Sequence, residues 1–166
     1  LIDTTAHVRP DSPDIGRWRG HFASMGAAVD DSPWEADALS ERLSELKPSL
    51  VFALIGTTRA RRRTAEDPES ETYEQVDHDL TRMLLDAAAH LPDPPRFIYL
   101  SAMGTHQGSR SAYGRARARV EAALTESELP HVIARPGFIA GPDREEARPL
   151  ERFAAASSDL LLSGIA

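Results

Sequence analysis

Three side chains in the middle of the 166-residue sequence have types and spacing suited to proton transfer. Ser101 follows a short apolar run, Tyr113 opens the next helical pattern, and Arg117 stands four residues after Tyr113. A tyrosine phenol titrates near ~10, so it transfers protons at neutral pH only when a positive charge stabilises its phenolate. In a helix Arg117 would share one face with Tyr113 and could also reach a bound ribose. Ser101 would then hold a substrate carbonyl.

An ordinary amphipathic helix accounts for the same stretch, "SAYGRARARVEAAL". The apolar residues that would form its buried stripe are Tyr113, Ala116, Val120, Ala123 and Leu124. Arg117 would then merely flank that stripe. Taken alone, these residues leave both interpretations open, a catalytic tyrosine above a cation or a core residue of a helix.

Short apolar runs alternate with helical patterns along the chain, which is typical of a parallel sheet flanked by helices. The predicted strands are "TTAHV", "AAVD", "SLVFALIG", "RFIYLS" and "HVIAR". Apolar residues recur at helical spacing in "EADALSERLSEL" and "YEQVDHDLTRMLLDAAAHL", whereas the charged segment "RARRRTAEDPESE" predicts an exposed loop. We therefore predict one α/β domain over residues 1–166, a doubly wound, Rossmann-like parallel sheet that is incomplete.

Polar residues and a glycine follow two of these strands, at the edge where open parallel sheets bind ligands. Arg9 follows the first strand, where an acidic residue selects NAD and a basic residue accepts the 2′-phosphate of NADP. A surface arginine beside a turn is the alternative. After the third strand Gly56 permits a close backbone approach, and Thr57 and Thr58 offer hydroxyls to a ribose or pyrophosphate.

Composition excludes several other function classes. The 19 basic and 26 acidic residues give a formal net charge of −7, which opposes nucleic-acid binding. The chain has no cysteine, and its six histidines lack the spacing of a helical metal site, so we expect no metal. No apolar run approaches the ~20 residues of a membrane span.

We expect a cytoplasmic protein that binds a dinucleotide and a small-molecule substrate, and a homo-oligomer is compatible with the sequence.

Together these segments resemble the atypical short-chain dehydrogenase/reductases, in particular the Tat-interacting-protein-like branch of NAD(P)H-binding oxidoreductases. The resemblance covers most of the chain. Its most specific segments are "LIGTTRAR", "YEQVDHDLTRMLLDAA", "IYLSAMGT", "YGRARARVEAAL" and "IARPGFIAGPDREEARPLERF". It implies a Rossmann fold and NADP, rather than NAD, as the cofactor.

The resemblance also implies roles for individual residues. It implies that Ser101 orients the substrate, that Tyr113 donates the proton and that Arg9 contacts the 2′-phosphate. It further implies that Arg135, Pro136 and Gly137 border the nicotinamide pocket, and that "REEARP" is the loop that follows.

The sequence departs from the family pattern in two ways. The family's lysine, four residues after the tyrosine, is Arg117 here, and its planar fork does not copy the hydrogen bonds of an ammonium to ribose. The glycine-rich strand, turn and helix that receive the pyrophosphate are not found, and "TTAHV" matches the family's second strand. The family would also continue beyond "SSDLLLSGIA" into a substrate-covering segment.

A missing first strand leads to a specific expectation about the sheet. That strand lies at the centre of the order 3-2-1-4-5-6, so the sheet would fall into two halves with unpaired central edges. We therefore expect the native protein to contain an upstream strand, turn and helix. For the function we expect an NADP-dependent oxidoreductase acting on a small carbonyl or alcohol. The alternatives are a non-catalytic NAD(P)H-sensing or protein-interaction module and an epimerase- or dehydratase-like relative.

Overall fold

Parallel strands and helices alternate along the computed structural model, which describes residues 3–10, 12, 14–65 and 67–137. The strands are β1 (Thr5–His7), β2 (Ala28–Asp30), β3 (Leu50–Ala53), β4 (Arg96–Leu100) and β5 (His131–Ala134). The α-helices are α1 (Ile15–Ser24), α2 (Ala36–Leu46), α3 (Arg59–Thr64), α4 (Leu80–Ala89) and α5 (Ala112–Glu126). A π-helical segment, Tyr73–Asp79, leads directly into α4. The predicted α/β fold class is confirmed.

The strands form two separate parallel sheets. One contains β1 and β2, and the other has the order β3-β4-β5. The register pairs Ala6 with Val29 in the first sheet and Ala53 with Tyr99 in the second. In a doubly wound fold this gap falls where the central strand would lie. The predicted division of the sheet into two halves is therefore confirmed, and within the described residues β1 and β3 each keep one unpaired edge.

The core lies between one face of the β3-β4-β5 sheet and the helices. Alternation along the strands buries Val51 and Ala53 of β3 and Phe97 and Tyr99 of β4. Helices α2, α4 and α5 cover these side chains with leucine, alanine and valine, namely Leu39, Leu43, Leu84, Leu85, Ala88, Val120 and Leu124. Because this face is dry and continuous, it fixes the ends of β3 and β4 relative to α5.

The other face of the same sheet carries apolar side chains that no described segment covers. Leu50, Phe52 and Val132 are 43%, 59% and 47% exposed. A sheet with helices on one side only leaves such a face open to a further layer.

Two local structures differ from the sequence-based expectation. The segment "RARRRTAEDPESE" was expected to be a loop throughout, but its first residues form α3. Thr58 caps this helix by accepting a hydrogen bond from the Arg61 amide at 3.1 Å, and arginine is a good helix former. Helix α1 was not predicted, because its sequence, "IGRWRGHFAS", contains two glycines, which disfavour a helix. In the structure this helix buries no residue.

Candidate functional site

The guanidinium of Arg117 joins three elements at the carboxyl ends of the strands. Its Nη1 donates to the carbonyl of Leu100 at the end of β4. Its Nη2 donates to the carbonyl of Ile55, just beyond β3, at 3.3 Å, and to Oδ1 of Asp77 in the π-helical segment at 2.9 Å. Arg117 is 7% exposed, and its Nε is buried without a partner among the described residues. The predicted cation is therefore held inside the protein.

Asp77 is the fully buried counter-ion of Arg117. Its Oδ2 accepts a hydrogen bond from the Thr57 amide at 3.0 Å. Burial raises the pKa of Asp77, while the Thr57 amide and the Arg117 charge oppose this increase without cancelling it. Sequence reasoning missed Asp77, although its position was informative. It is four residues after Tyr73 and three before Leu80, so a carboxylate falls on the apolar stripe of the helical pattern.

Gly56 makes the close backbone approach that the sequence predicted, but its neighbour is the protein itself. A Cβ atom at Gly56 would lie 2.8 Å from Nη2 of Arg117 and 3.2 Å from Oδ1 of Asp77. Both distances are shorter than normal van der Waals contact. Any larger residue at this position would therefore have to displace the Asp77–Arg117 pair.

Tyr113 lies in the first turn of α5, which begins where Ser111 accepts a hydrogen bond from the Gly114 amide at 3.0 Å. The Tyr113 ring is half-buried, and the Arg117 guanidinium carbon lies 4.9 Å from its centroid. Tyr73 packs edge-on against the same ring at 5.4 Å. The structure thus combines the two interpretations of this residue, because the tyrosine belongs to a packed helix face and also stands over a cation.

Ser101 is buried at the end of β4, where its amide donates to the carbonyl of Ala134 at 2.8 Å. Its hydroxyl lies 3.4 Å from Oγ1 of Thr105, which is a long and weak hydrogen bond. The residue before it, Leu100, accepts a hydrogen bond from Arg117 Nη1. Ser101, Tyr113 and Arg117 are therefore brought to one region of the edge.

Arg135 follows β5 and holds Glu121 in a two-pronged contact, with Nε at 2.8 Å and Nη2 at 2.7 Å from its carboxylate oxygens. Burial raises the pKa of Glu121, but hydrogen bonds from Arg135 and Ser101 outweigh burial, so the net pKa lies below its ordinary value. The Glu121 hydrogen bond raises the pKa of Arg135. Pro136 accepts a hydrogen bond from the Met103 amide at 3.0 Å, which keeps the segment up to Gly137 beside the loop after β4. The loop "REEARP" lies outside the described residues.

A second cluster forms around Glu71, which sequence reasoning also missed. Arg9 Nη1 donates to Glu71 Oε1 at 3.0 Å, and the Thr57 hydroxyl donates to Oε2 at 3.1 Å. Arg61 Nε lies 3.3 Å from Oε2. Nothing in the charged segment around Glu71 distinguished it from its neighbours. Thr57 connects the clusters, since its amide contacts Asp77 and its hydroxyl contacts Glu71. The Thr58 hydroxyl is used in capping α3.

One group of possible metal ligands occurs among the described residues. Ligand atoms of Glu74, His78 and Asp79 lie within 4.8 Å of one another. His78 Nδ1 is 2.7 Å from Asp79 Oδ1, and Arg119 pairs with Glu74. Each of the three side chains thus contacts another side chain of the protein.

Three solved structures illustrate the likeness of the fold. A dTDP-4-dehydrorhamnose reductase from Bacillus anthracis, solved with NADP, superposes with a TM-score of 0.55 at 11% identity, over 87% of this chain and 57% of that one. A nucleoside-diphosphate-sugar epimerase from Agrobacterium tumefaciens gives a TM-score of 0.60 at 20% identity, over 90% and 48%. RMD from Pseudomonas aeruginosa, complexed with NADPH, gives 0.53 at 19% identity, over 87% and 56%. The chain spans about half the length of these proteins. At these identities the likeness shows the fold alone, which is a Rossmann-like α/β fold.

Sequence comparison gives the family. The chain is 30% identical over 174 residues to the protein fmp52-1, mitochondrial, of Aspergillus terreus, and the match covers 99% of this chain and 72% of that protein. It is also 31% identical over 104 residues to fmp52-2, mitochondrial, of the same fungus, over 61% of this chain and 43% of that protein. The chain belongs to the fmp52 family. No protein-family model matches the sequence.

The relatives correct the expected location. Both are named as mitochondrial proteins, so the expectation of a cytoplasmic protein is wrong. Within the part of the chain that the structure describes, no helix has the length and apolar character needed to cross a bilayer.

Proposed function

We propose that the protein is an NADP-dependent oxidoreductase of the short-chain dehydrogenase/reductase type, acting on a small carbonyl or alcohol. One observation carries this proposal. Arg117 lies 4.9 Å from the centroid of the Tyr113 ring and also binds the carbonyl of Leu100, the residue before Ser101. A phenol, a cation and a hydroxyl are thereby held together at the sheet edge where Rossmann folds bind their ligands.

Each side chain of this group would have a separate role in carbonyl reduction. The nicotinamide, when bound, supplies a hydride. Tyr113 would hold the proton that the substrate oxygen receives, and Arg117 is the fixed positive charge beneath it. Ser101 would orient the substrate oxygen, which can replace the weak 3.4 Å contact of its hydroxyl with Thr105. Asp77 keeps Arg117 in place.

The residues of the second cluster fit the adenosine end of NADP. Arg9 and Arg61 bring two guanidinium groups to the Glu71 carboxylate, at 3.0 and 3.3 Å. A phosphate monoester is the ligand that such forks prefer. Gly56 and Thr58 already make contacts within the protein, so a ribose or pyrophosphate would compete with those contacts. Arg135, Pro136 and Gly137 are proposed to border the nicotinamide pocket.

We also propose that residues 1–166 form part of a single Rossmann-like domain of the Tat-interacting-protein-like branch, completed by one more strand and helix. The unpaired edges of β1 and β3 support a strand between them. The exposed side chains of Phe52 and Val132 support a covering helix. The branch is supported by the segments "LIGTTRAR" and "IARPGF".

A second candidate function is a non-catalytic module that senses NAD(P)H. It is favoured by the contacts of Arg117, whose two terminal nitrogens already serve three acceptors inside the protein. A guanidinium held in this way would have to give up contacts within the protein to bind a ribose, and its planar fork does not copy the hydrogen bonds of an ammonium.

Titration of the full-length protein with NADPH and NADH, followed by cofactor fluorescence, tests both candidates. Tighter binding of NADPH together with turnover of at least one carbonyl in a panel of small aldehydes and ketones supports the oxidoreductase. Binding without turnover by any member of the panel supports the sensing module. No binding of either dinucleotide would reject both.

A further inference from the structure

A cleft lies at the amino edge of the β3-β4-β5 sheet, between the C-terminal parts of α4 and α5. Its volume is about 480 Å³, within the range of roughly 300–1,000 Å³ in which proteins bind small molecules. Its lining includes Pro94, two residues before β4, and Leu129, two residues before β5. Parallel strands begin at the same edge, so the cleft lies at the opposite edge from Ser101, which follows β4. It is therefore separate from the candidate site.

Core side chains form part of the wall of this cleft. The apolar residues that line it are Leu85, Ala89, Pro94, Ala123 and Leu129. Leu85, Ala123 and Leu129 are buried, and only Ala89, at the end of α4, is exposed. Their positions are therefore fixed by packing, so an apolar group can leave water here without reordering the protein.

The ionisable side chains of the cleft carry an excess of negative charge. Nε of Arg82 lies 2.9 and 3.0 Å from the two carboxylate oxygens of Asp86, so these two charges balance each other. Glu126 and Glu128 are exposed and form no ion pair with any residue that the structure describes. With His90 neutral, the lining residues therefore leave two negative charges without a counter-ion.

The ends of the two helices add to this negative potential. Helices α4 and α5 both end at the cleft, and neither has a basic residue in its last turn. A helix C-terminus carries a partial negative charge, so a carboxylate there is unfavourable and a cation is favourable. Asp86 lies in the last turn of α4, and Glu126 is the last residue of α5. A cation bound in the cleft would relieve both unfavourable placements.

His90 provides a further hydrogen-bond acceptor. Its Nδ1 lies 2.6 Å from the carbonyl oxygen of Asp86. A carbonyl oxygen only accepts, so Nδ1 carries the hydrogen and Nε2 of the neutral ring is an acceptor. The carboxylates and this nitrogen need a donor, and the guanidinium of Arg82 is already bound to Asp86. An ammonium group, with three donors and no acceptor, matches this set, whereas a carboxylate or phosphate does not.

We propose that this cleft is a second binding site, which takes an organic amine with a primary ammonium group on an apolar body. The ammonium contacts Glu126 and Glu128 beside the helix ends. The apolar body packs against Leu85, Ala123 and Leu129. The site goes beyond the proposed function, because none of its residues belongs to the candidate site at the carboxyl edge and its occupation requires no dinucleotide.

The test uses three probes that share one apolar body and differ in charge, namely phenylbutylamine, phenylbutanol and phenylbutyrate. Each is titrated into the full-length protein while two-dimensional NMR follows the backbone amides. For a probe of this size we expect the amine to bind with a Kd on the order of 1 mM. The alcohol should bind about tenfold more weakly, and the acid should give no saturable shift. The amide shifts should centre on Ala89, Glu126 and Ser127.

Charge variants test the contribution of the two carboxylates. The double variant Glu126→Gln/Glu128→Gln removes both charges at exposed positions and keeps the size of the side chains. It should weaken the amine about tenfold, the loss of two partly exposed charge pairs, and leave the alcohol unchanged. Glu41→Gln, which removes an exposed carboxylate of α2 outside the cleft, should change neither constant. High salt should weaken the amine alone.

A steric variant keeps the test valid if the double variant fails to fold. Ala89→Phe places a ring at the exposed rim of the cleft and should abolish the binding of amine and alcohol alike, with little change in the melting temperature. Equal binding of the amine and the alcohol would overturn the inference. Amine shifts centred on Ser101 or Tyr113, or amine binding that neither variant affects, would place the amine elsewhere and also overturn it. The absence of any saturable shift with the amine would do the same.

Discussion

Arg117 and Asp77 form a buried ion pair, with 2.9 Å between Nη2 and Oδ1 and with side chains that are 8% and 0% exposed. The pair connects α5 to the π-helical segment and, through the other bonds of Arg117, to the ends of β3 and β4. The cation beneath Tyr113 is thus balanced inside the protein, so its position depends on Asp77 as much as on α5.

Asp77→Ala should lower the free energy of unfolding by about 3–5 kcal/mol, because it leaves Arg117 buried without a counter-ion. The double variant Asp77→Ala/Arg117→Met should cost much less than the sum of the single changes. Urea denaturation measures all three values. Asp86→Ala is the control, since its pair with Arg82 is half-exposed and should contribute about 0–1 kcal/mol. Similar losses for Asp77→Ala and Asp86→Ala would refute the importance of the buried pair.

Gly56→Ala should destabilise the protein by about 1–3 kcal/mol, because the added methyl group would displace the Arg117 guanidinium. Gly20→Ala is the matched control. It lies in α1, no atom lies within 4 Å of its added Cβ, and alanine favours a helix, so stability should rise slightly. Thermal unfolding distinguishes the two variants. An unchanged melting temperature for Gly56→Ala would mean that the guanidinium moves aside without cost.

Much of the fold followed from the sequence, because apolar runs and the known strand order specify a parallel sheet and its gap. A helix was predicted through Tyr73–Asp79, but its π-helical form was not. Helix α3 was not predicted, because it depends on a local cap at Thr58 inside a charged stretch. The contacts of Gly56 could not be predicted either. The sequence indicated a close approach to the Gly56 backbone. The group that approaches is the guanidinium of Arg117, and only the folded chain brings the two residues together.

Contacts among the candidate site residues were predicted where they depend on helical spacing and missed where they depend on distant pairs. Tyr113 and Arg117 are one turn apart, so their contact could be anticipated. Arg9 and Glu71 are far apart in sequence, and no periodicity connects them.

Tyr113→Phe should abolish carbonyl turnover while it leaves the NADPH dissociation constant and the melting temperature nearly unchanged, if Tyr113 donates the proton. Steady-state kinetics with NADPH gives the first value and fluorescence titration the second. Tyr73→Phe removes a hydroxyl from the ring that packs against Tyr113, and it should retain turnover. Full activity of Tyr113→Phe would exclude the proposed proton transfer.

Lowering the pH should remove the contribution of Glu121 to the free energy of unfolding. Its pKa in the folded protein lies below its ordinary value of 4.5, so the unfolded chain binds the proton more readily. The stabilisation is therefore present above about pH 4.5 and is lost as the pH falls through the lowered pKa. Urea denaturation from pH 7 to pH 3 should show a shallower acid decline for Glu121→Gln than for the unmutated protein. Parallel pH profiles would contradict the assignment.

Because the β1–β2 sheet and the β3-β4-β5 sheet are separated by a gap, we expect them to unfold at different free energies. Helix α1 buries no residue, so the β1–β2 unit has little to hold it, whereas β3-β4-β5 contains the dry core. Amide hydrogens of β1 and β2 should therefore exchange with deuterium through partial opening, and those of β4 only through global unfolding. Because Arg9 follows β1 and Glu71 belongs to the other side of the gap, each such opening separates them. A ligand bound across this gap would slow exchange in β1 first, which makes that strand the most sensitive reporter of occupancy.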